Sequence, residues 1–387
     1  MSNLSKSPVA LLAALVVLLA AILYFKQPAQ PPKPAPVSPR NAFDDFVRAM
    51  TLLEAPPRDA EFNTLLTGVW TGPWTNDDRL IKYLDRNAGA LAALDDGLAN
   101  TNCVLPAYEN PESSLAYLDS LRELARLKSL QIKRAGTGDP ARSGAGVAGI
   151  VKLGDFVMRG GGPLRAYNMG IAIKHIGYDL GRHVPVTQDL APYALDHGAL
   201  LRSLDVEHAS VGLWLLDAAG RPNFDAIVMA VTGGQPSSTI RNLLTGSNSY
   251  IVEETGNVME KLFAMARDNA LRSWTQRQPI ESALERALRE PFDLRKEPNV
   301  RGLIVLHLSL DQIPAALISQ RRIEAEAAAL RPTPGIDPFS DEPMHVSKER
   351  GLVWSVGPDG VDNNGEIVYS GDTPQGDLVF PLPAATR

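Results

Sequence analysis

Residues 111–132 read PESSLAYLDSLRELARLKSLQI, and this stretch decides the class of fold. Leu115, Leu118, Leu121, Leu124, Leu127 and Leu130 recur every third residue. At 3.6 residues per helical turn they form a nearly continuous apolar face that has to pack against another element. Asn110 and Pro111 before it supply a cap and a first-turn proline, whose missing N–H costs no helical hydrogen bond. The stretch therefore predicts one member of a helical stack.

Working outward, Phe43, Phe46, Val47, Met50 and Leu53 give a second apolar stripe, which Pro56 and Pro57 end. Further helices are expected over 77–94, 164–180, 189–204, 258–274, 280–288 and 320–330. Short β-rich fragments interrupt at 211–216, 227–231 and 303–308, the last ambiguous between a buried strand and the start of a helix. Residues 135–149, AGTGDPARSGAGVAG, look superficially like a phosphate loop. They lack the Gly-Lys-Ser/Thr ending, and Gly144-x-Gly146-x-x-Gly149 follows no strand. The better reading is a helix that stops, turns at 136–139 and is followed by another whose small residues allow close packing. Gly170 and Gly177, seven apart, are expected to seat a neighbouring helix in the same way.

With 387 residues, 44% of them hydrophobic, the chain can bury a substantial core. A net charge of −6 argues against a nucleic-acid surface, which needs a basic face. Cys103 is the single cysteine, so no intrachain disulfide is possible, and a buried small hydrophobe is the reading preferred to a nucleophile. Near the N-terminus an uncharged apolar run, PVALLAALVVLLAAILYF, begins at Pro8 and ends at Phe25. Its length approaches what a helix needs to cross a bilayer. The expected organisation is a transmembrane signal-anchor (1–26), a proline-rich linker (27–40), an all-α body (41–330) and a small β-containing C-terminal module (331–387).

That last module carries the most distinctive text: DPFSDEPMHV at 337–346, GLVWSVGPDGVDNNGE at 351–366 and GDLVFPLP at 376–383. Strands are expected at 344–347, 352–356 and 378–380. The segment 337–381 resembles the C-terminal region of type II secretion major pseudopilins and the tail of membrane-anchored proteins of planctomycete-type bacteria. The chain lacks the basic leader and early glutamate of a pseudopilin, so the resemblance is confined to the tail. It implies a calcium loop. Asp359, Asp362 and Asn364 would supply oxygens at short spacing, Gly360 and Gly365 the curvature, and Glu366, Asp372 and Asp377 the rest of the shell. The same residues also suit a plain turn cluster, in which Asp and Asn bond their own backbone.

The helical body shows no catalytic signature. His175, His183, His197 and His208 lack the i, i+4 spacing of a helical zinc pair, and no G-x-S-x-G elbow is present. The expected function is a non-enzymatic one: a membrane-anchored cell-envelope scaffold meeting a protein partner, with the bilayer held through residues 8–25 and the body periplasmic or otherwise extracytoplasmic. Two alternatives are an accessory component of a secretion or pseudopilus apparatus, suggested by the tail, and a metal-dependent hydrolase using the histidines.

Overall fold

The computed structural model describes residues 40–382 except 110–113, 137–139, 185–195, 219–250, 289–297, 300–301, 304–305, 307–309, 311, 332, 368, 371–372 and 375. The helices described in chain order are α1 (Ala42–Leu52), α2 (Ala60–Thr71), α3 (Asp78–Arg86), α4 (Ala88–Ala99), α5 (Ala116–Ala135) and α6 (Pro140–Arg159). They continue as α7 (Leu164–His183), α8 (His197–Ala218), α9 (Val252–Leu271), α10 (Ile280–Leu288) and α11 (Gln312–Ala329). The leucine face behaves as its spacing demands: Leu118, Leu121, Leu124, Leu127 and Leu130 of α5 are all buried. The proposed cap at Asn110 and Pro111 lies outside the described residues.

α6 and α7 are the pair on which the other helices are laid. They are joined through Gly160–Pro163 and approach so closely at Gly154, Gly170 and Gly177 that no Cβ fits there. A Cβ on Gly154 would lie 2.5 Å from the Gly170 carbonyl oxygen, and one on Gly177 would lie 2.7 Å from Cγ2 of Val151. Each helix serves two cores. Leu153 and Val157 of α6 and Ala166 and Ile173 of α7 join α1 to α5. Val151, Met158, Tyr167 and Tyr178 join α8 to α11. Between the pair Lys174, fully buried, meets Asp155 at 3.0 Å. Burial draws its pKa below the ordinary lysine range, and the Asp155 carboxylate opposes that shift.

Lysines also close helix ends. Lys133 Nζ on α5 donates to the carbonyls of Val69, Trp70 and Gly72, each at 2.8 Å, and so satisfies the C-terminal end of α2. Lys152 on α6 does the same for α4, donating to Leu98 O at 2.6 Å and Asn100 O at 2.8 Å.

Two expectations about elements are corrected. The helix expected over 77–94 is two helices meeting at Asn87, a buried residue whose side chain donates to Tyr83 O and accepts from Glu54 N. The supposed β-rich fragment 211–216 is the last part of α8, and Leu303, Leu306 and Leu310 are buried helical positions. β-branched and leucine-rich content yielded to a helical face with apolar partners. The fragment 227–231 lies outside the described residues.

The C-terminal strands fall where the alternation placed them. β1 (His345–Ser347) and β5 (Leu378–Pro381) both pair antiparallel with β2 (Leu352–Ser355), in the order β1-β2-β5. Between β2 and β5 in sequence, β3 (Tyr369–Ser370) and β4 (Thr373–Pro374) form a separate two-stranded ladder. Val353 and Phe380 face Ala325, Ala328 and Ala329 of α11. Phe339 meets Trp274 edge to face at 5.1 Å, and Trp274 Nε1 donates to Pro358 O. Residues 41–387 form one compact unit, so the sheet is part of the body's packing.

The expected membrane anchor is also corrected. Among the described residues no helix is long and apolar enough to cross a membrane. The long helices carry charge along their length, as α7 does with Arg165, Lys174, Asp179 and Arg182. Residues 8–25 lie outside the described residues. The single-pass topology, the bilayer as partner and the extracytoplasmic placement are therefore not carried forward.

Candidate functional site

The loop expected to hold calcium spends its carboxylates on its own backbone. Asp359 accepts from Val361 N, and Asp362 Oδ1 accepts from Asn364 N and from Trp354 Nε1. Asp377, fully buried, accepts from the backbone N–H groups of Asn363 and Gly365. Burial raises the Asp377 pKa, while these N–H donors pull it down. The loop's carbonyls are also taken: the Arg350 guanidinium donates to Asn364 O and Gly365 O. Asn364 and Gly365 both have positive φ, 58° and 73°, which turns the chain tightly enough for this clamp. Glu366 is exposed, and Asp372 lies outside the described residues. A hard cation needs six or more oxygens facing inward. Here the carboxylates face N–H donors and a guanidinium faces the carbonyls, so the described residues do not fit the ion.

The four histidines of 175–208 do not converge either. His175 Nδ1 lies 2.7 Å from Glu326 Oε1 on α11, and His197 Nδ1 2.7 Å from Gln320 Nε2. His208 stacks on Phe263 and reaches Glu260 at 3.1 Å, and His183 stands at the end of α7. Among the described residues no group of three or more His, Cys, Asp or Glu is placed to hold a metal ion. The metal-dependent hydrolase reading is set aside on that finding. The envelope-scaffold reading is set aside with the anchor on which it was built, and the secretion-accessory reading, suggested by the tail alone, is set aside because nothing else in the described residues supports it. Cys103 is buried, and burial pushes its thiol up to about 12, so it is an inert core residue.

What the fold does build is a cleft of about 470 Å³ among α4, α5 and α6. Leu98, Ile132, Ala145, Gly146, Ala148 and Gly149 form its apolar surface. Gly146 brings α5 and α6 together, since a Cβ there would lie 2.6 Å from the Ile132 side chain. Its charged residues are Asp95, Lys128, Arg142 and Lys152. Lys128 Nζ is 2.8 Å from each Asp95 oxygen and 2.9 Å from Gln131 Oε1, which uses all three of its donors and cancels one charge of each sign. Lys152 spends two donors on the carbonyls closing α4. Arg142 is exposed on the first turn of α6. The Ser143 hydroxyl donates to Gly136 O.

The sequence singled out 135–149 and read its later small residues as packing residues, as Gly146 and Gly149 are here. It gave no warning of the cleft, because Asp95 and Leu98 arrive from a helix some forty residues away. A usable signal existed in Arg142, Gly146, Gly149 and Lys152, which share one helical face at 3.6 residues per turn. No family model, no curated protein and no solved structure matches this chain.

Proposed function

We propose that this chain is a non-catalytic binding protein that takes a small organic anion into the cleft among α4, α5 and α6. The observation that carries the reading is the charge of the lining: three cations to one carboxylate, around an apolar floor. Lys128 and Asp95 neutralise each other, and the Lys152 ammonium, bonded to neutral carbonyls, keeps the cleft positive. Lys152 retains one ammonium donor, and Gln131 retains its amide N–H donors because its oxygen serves Lys128. Such convergent donors over an apolar surface are the usual form of a small-molecule site.

Thermal unfolding of the full chain in hexanoate, benzoate and hexylamine tests this. A ligand present at ten times its Kd stabilises the folded state by about 1.4 kcal/mol. The two carboxylates are expected to raise the midpoint, less so in strong salt, and the amine to leave it unchanged. Equal shifts with amine and acid, or none with any of the three, would contradict the proposal.

A further inference from the structure

We infer that the cleft carries its own competitor: the ligand's carboxylate binds by taking the place of Asp95 on Lys128, and Asp95 turns out into water. This rests on the anion-binding reading above. Asp95 on α4 places both carboxylate oxygens 2.8 Å from Lys128 Nζ on α5, and Gln131 Oε1 takes the third N–H at 2.9 Å. A bound carboxylic acid would sit on the lysine in the same way. The two partners differ sharply in burial, the Lys128 side chain being 11% exposed and that of Asp95 51%. Leaving the lysine without an anion would strand a largely buried charge, which is costly. Moving Asp95 into water costs little, because an ion pair with a half-exposed partner contributes little to stability. Exchanging one carboxylate for another keeps Lys128 paired throughout, and the incoming acid adds what Asp95 lacks, an apolar tail to lay on Leu98 and Ile132. The Gln131 amide keeps its N–H donors for the acid, since Lys128 holds its oxygen. The neighbouring Asp96 takes no part: it lies outside the cleft lining and accepts from Arg48 of α1.

The test is calorimetric titration of hexanoate into the full chain and into D95N, D95E and D96N. D95N removes the competing carboxylate and is expected to bind hexanoate at least tenfold more tightly than the parent. D95E, which restores a carboxylate, returns the affinity to within a fewfold of the parent. D96N changes the net charge by the same amount as D95N and is expected to leave the affinity unchanged, so that a general charge effect is told apart from exchange at Lys128. D95N binding no more tightly than the parent, or D96N gaining as much as D95N, would overturn the exchange while leaving an anion-binding cleft intact. No heat from the parent or from D95N would overturn both.

Discussion

Asp337 shows how a buried carboxylate can hold a module through hydrogen bonds. It is fully buried and accepts from Phe339 N at 3.0 Å, Ser355 Oγ at 2.7 Å and Val356 N at 2.9 Å. D337A strands these donors in the interior, and each such group costs about 1–3 kcal/mol. The urea midpoint of D337A is therefore expected to fall by the equivalent of about 3 kcal/mol. A loss within 0.5 kcal/mol would show that the clamp is dispensable. Because the carboxylates of residues 359–377 are likewise committed to N–H donors, added calcium and added chelator are expected to give the same thermal midpoint. His175 offers a pH test. Its hydrogen bond to Glu326, with the added attraction of that charge, raises its pKa above the ordinary histidine value against the opposing effect of burial. The proton is held more tightly in the folded state, so the pair's stabilisation is complete below about pH 6.5 and is lost as pH rises through the raised pKa. The His175 side chain is 57% exposed, so the effect is screened and stays within about 1 kcal/mol. H175Q should lie furthest below the parent in stability at pH 5 and converge with it by pH 9; a constant gap would refute the linkage. Sequence alone named Asp377 and Asp362 as important oxygens. It could not choose between ion and backbone as their partner, because that choice depends on Arg350, which arrives from the β1–β2 connection.

Among elements, the α6–α7 pair and the lysine-closed helix ends carry the account. A Cβ at Gly170 would lie 2.6 Å from Gly154 O, a backbone atom that cannot move aside without moving α6. G170V is expected to lower stability by about 2–3 kcal/mol, in the range of overpacked cores. G68A is the control, because a Cβ at Gly68 in α2 meets nothing within 4 Å, and it should be neutral or slightly stabilising in a helix. Comparable losses in both would show that helix propensity, not close approach, decides the outcome. The helices were legible wherever one apolar face repeated over several turns, as in α5, and the strands wherever turn residues bounded a short alternating run, as in β2. α2 was missed because AEFNTLLTGVWT buries only Phe62, Leu66 and Val69, with threonines and a glycine between. Its C-terminal end is satisfied by Lys133 from α5, a contact no local pattern announces.

At the scale of the whole molecule, α4, α5 and α6 enclose a charged cleft with an apolar floor, and the C-terminal sheet packs against α11. The mainly helical body and its small β-containing end could be read from periodicity. The cleft could not, since it exists only once α4 is laid across α5 and α6 and Lys128 has consumed the charge of Asp95. The proposed site is thus a tertiary arrangement rather than a motif. The most direct test is titration of hexanoate, and of hexylamine beside it, into the full chain at low and high salt. Saturable binding of hexanoate that weakens with salt, with no binding of hexylamine, is the result expected, and equal binding of acid and amine, or no binding of either, would contradict the cleft as an anion site.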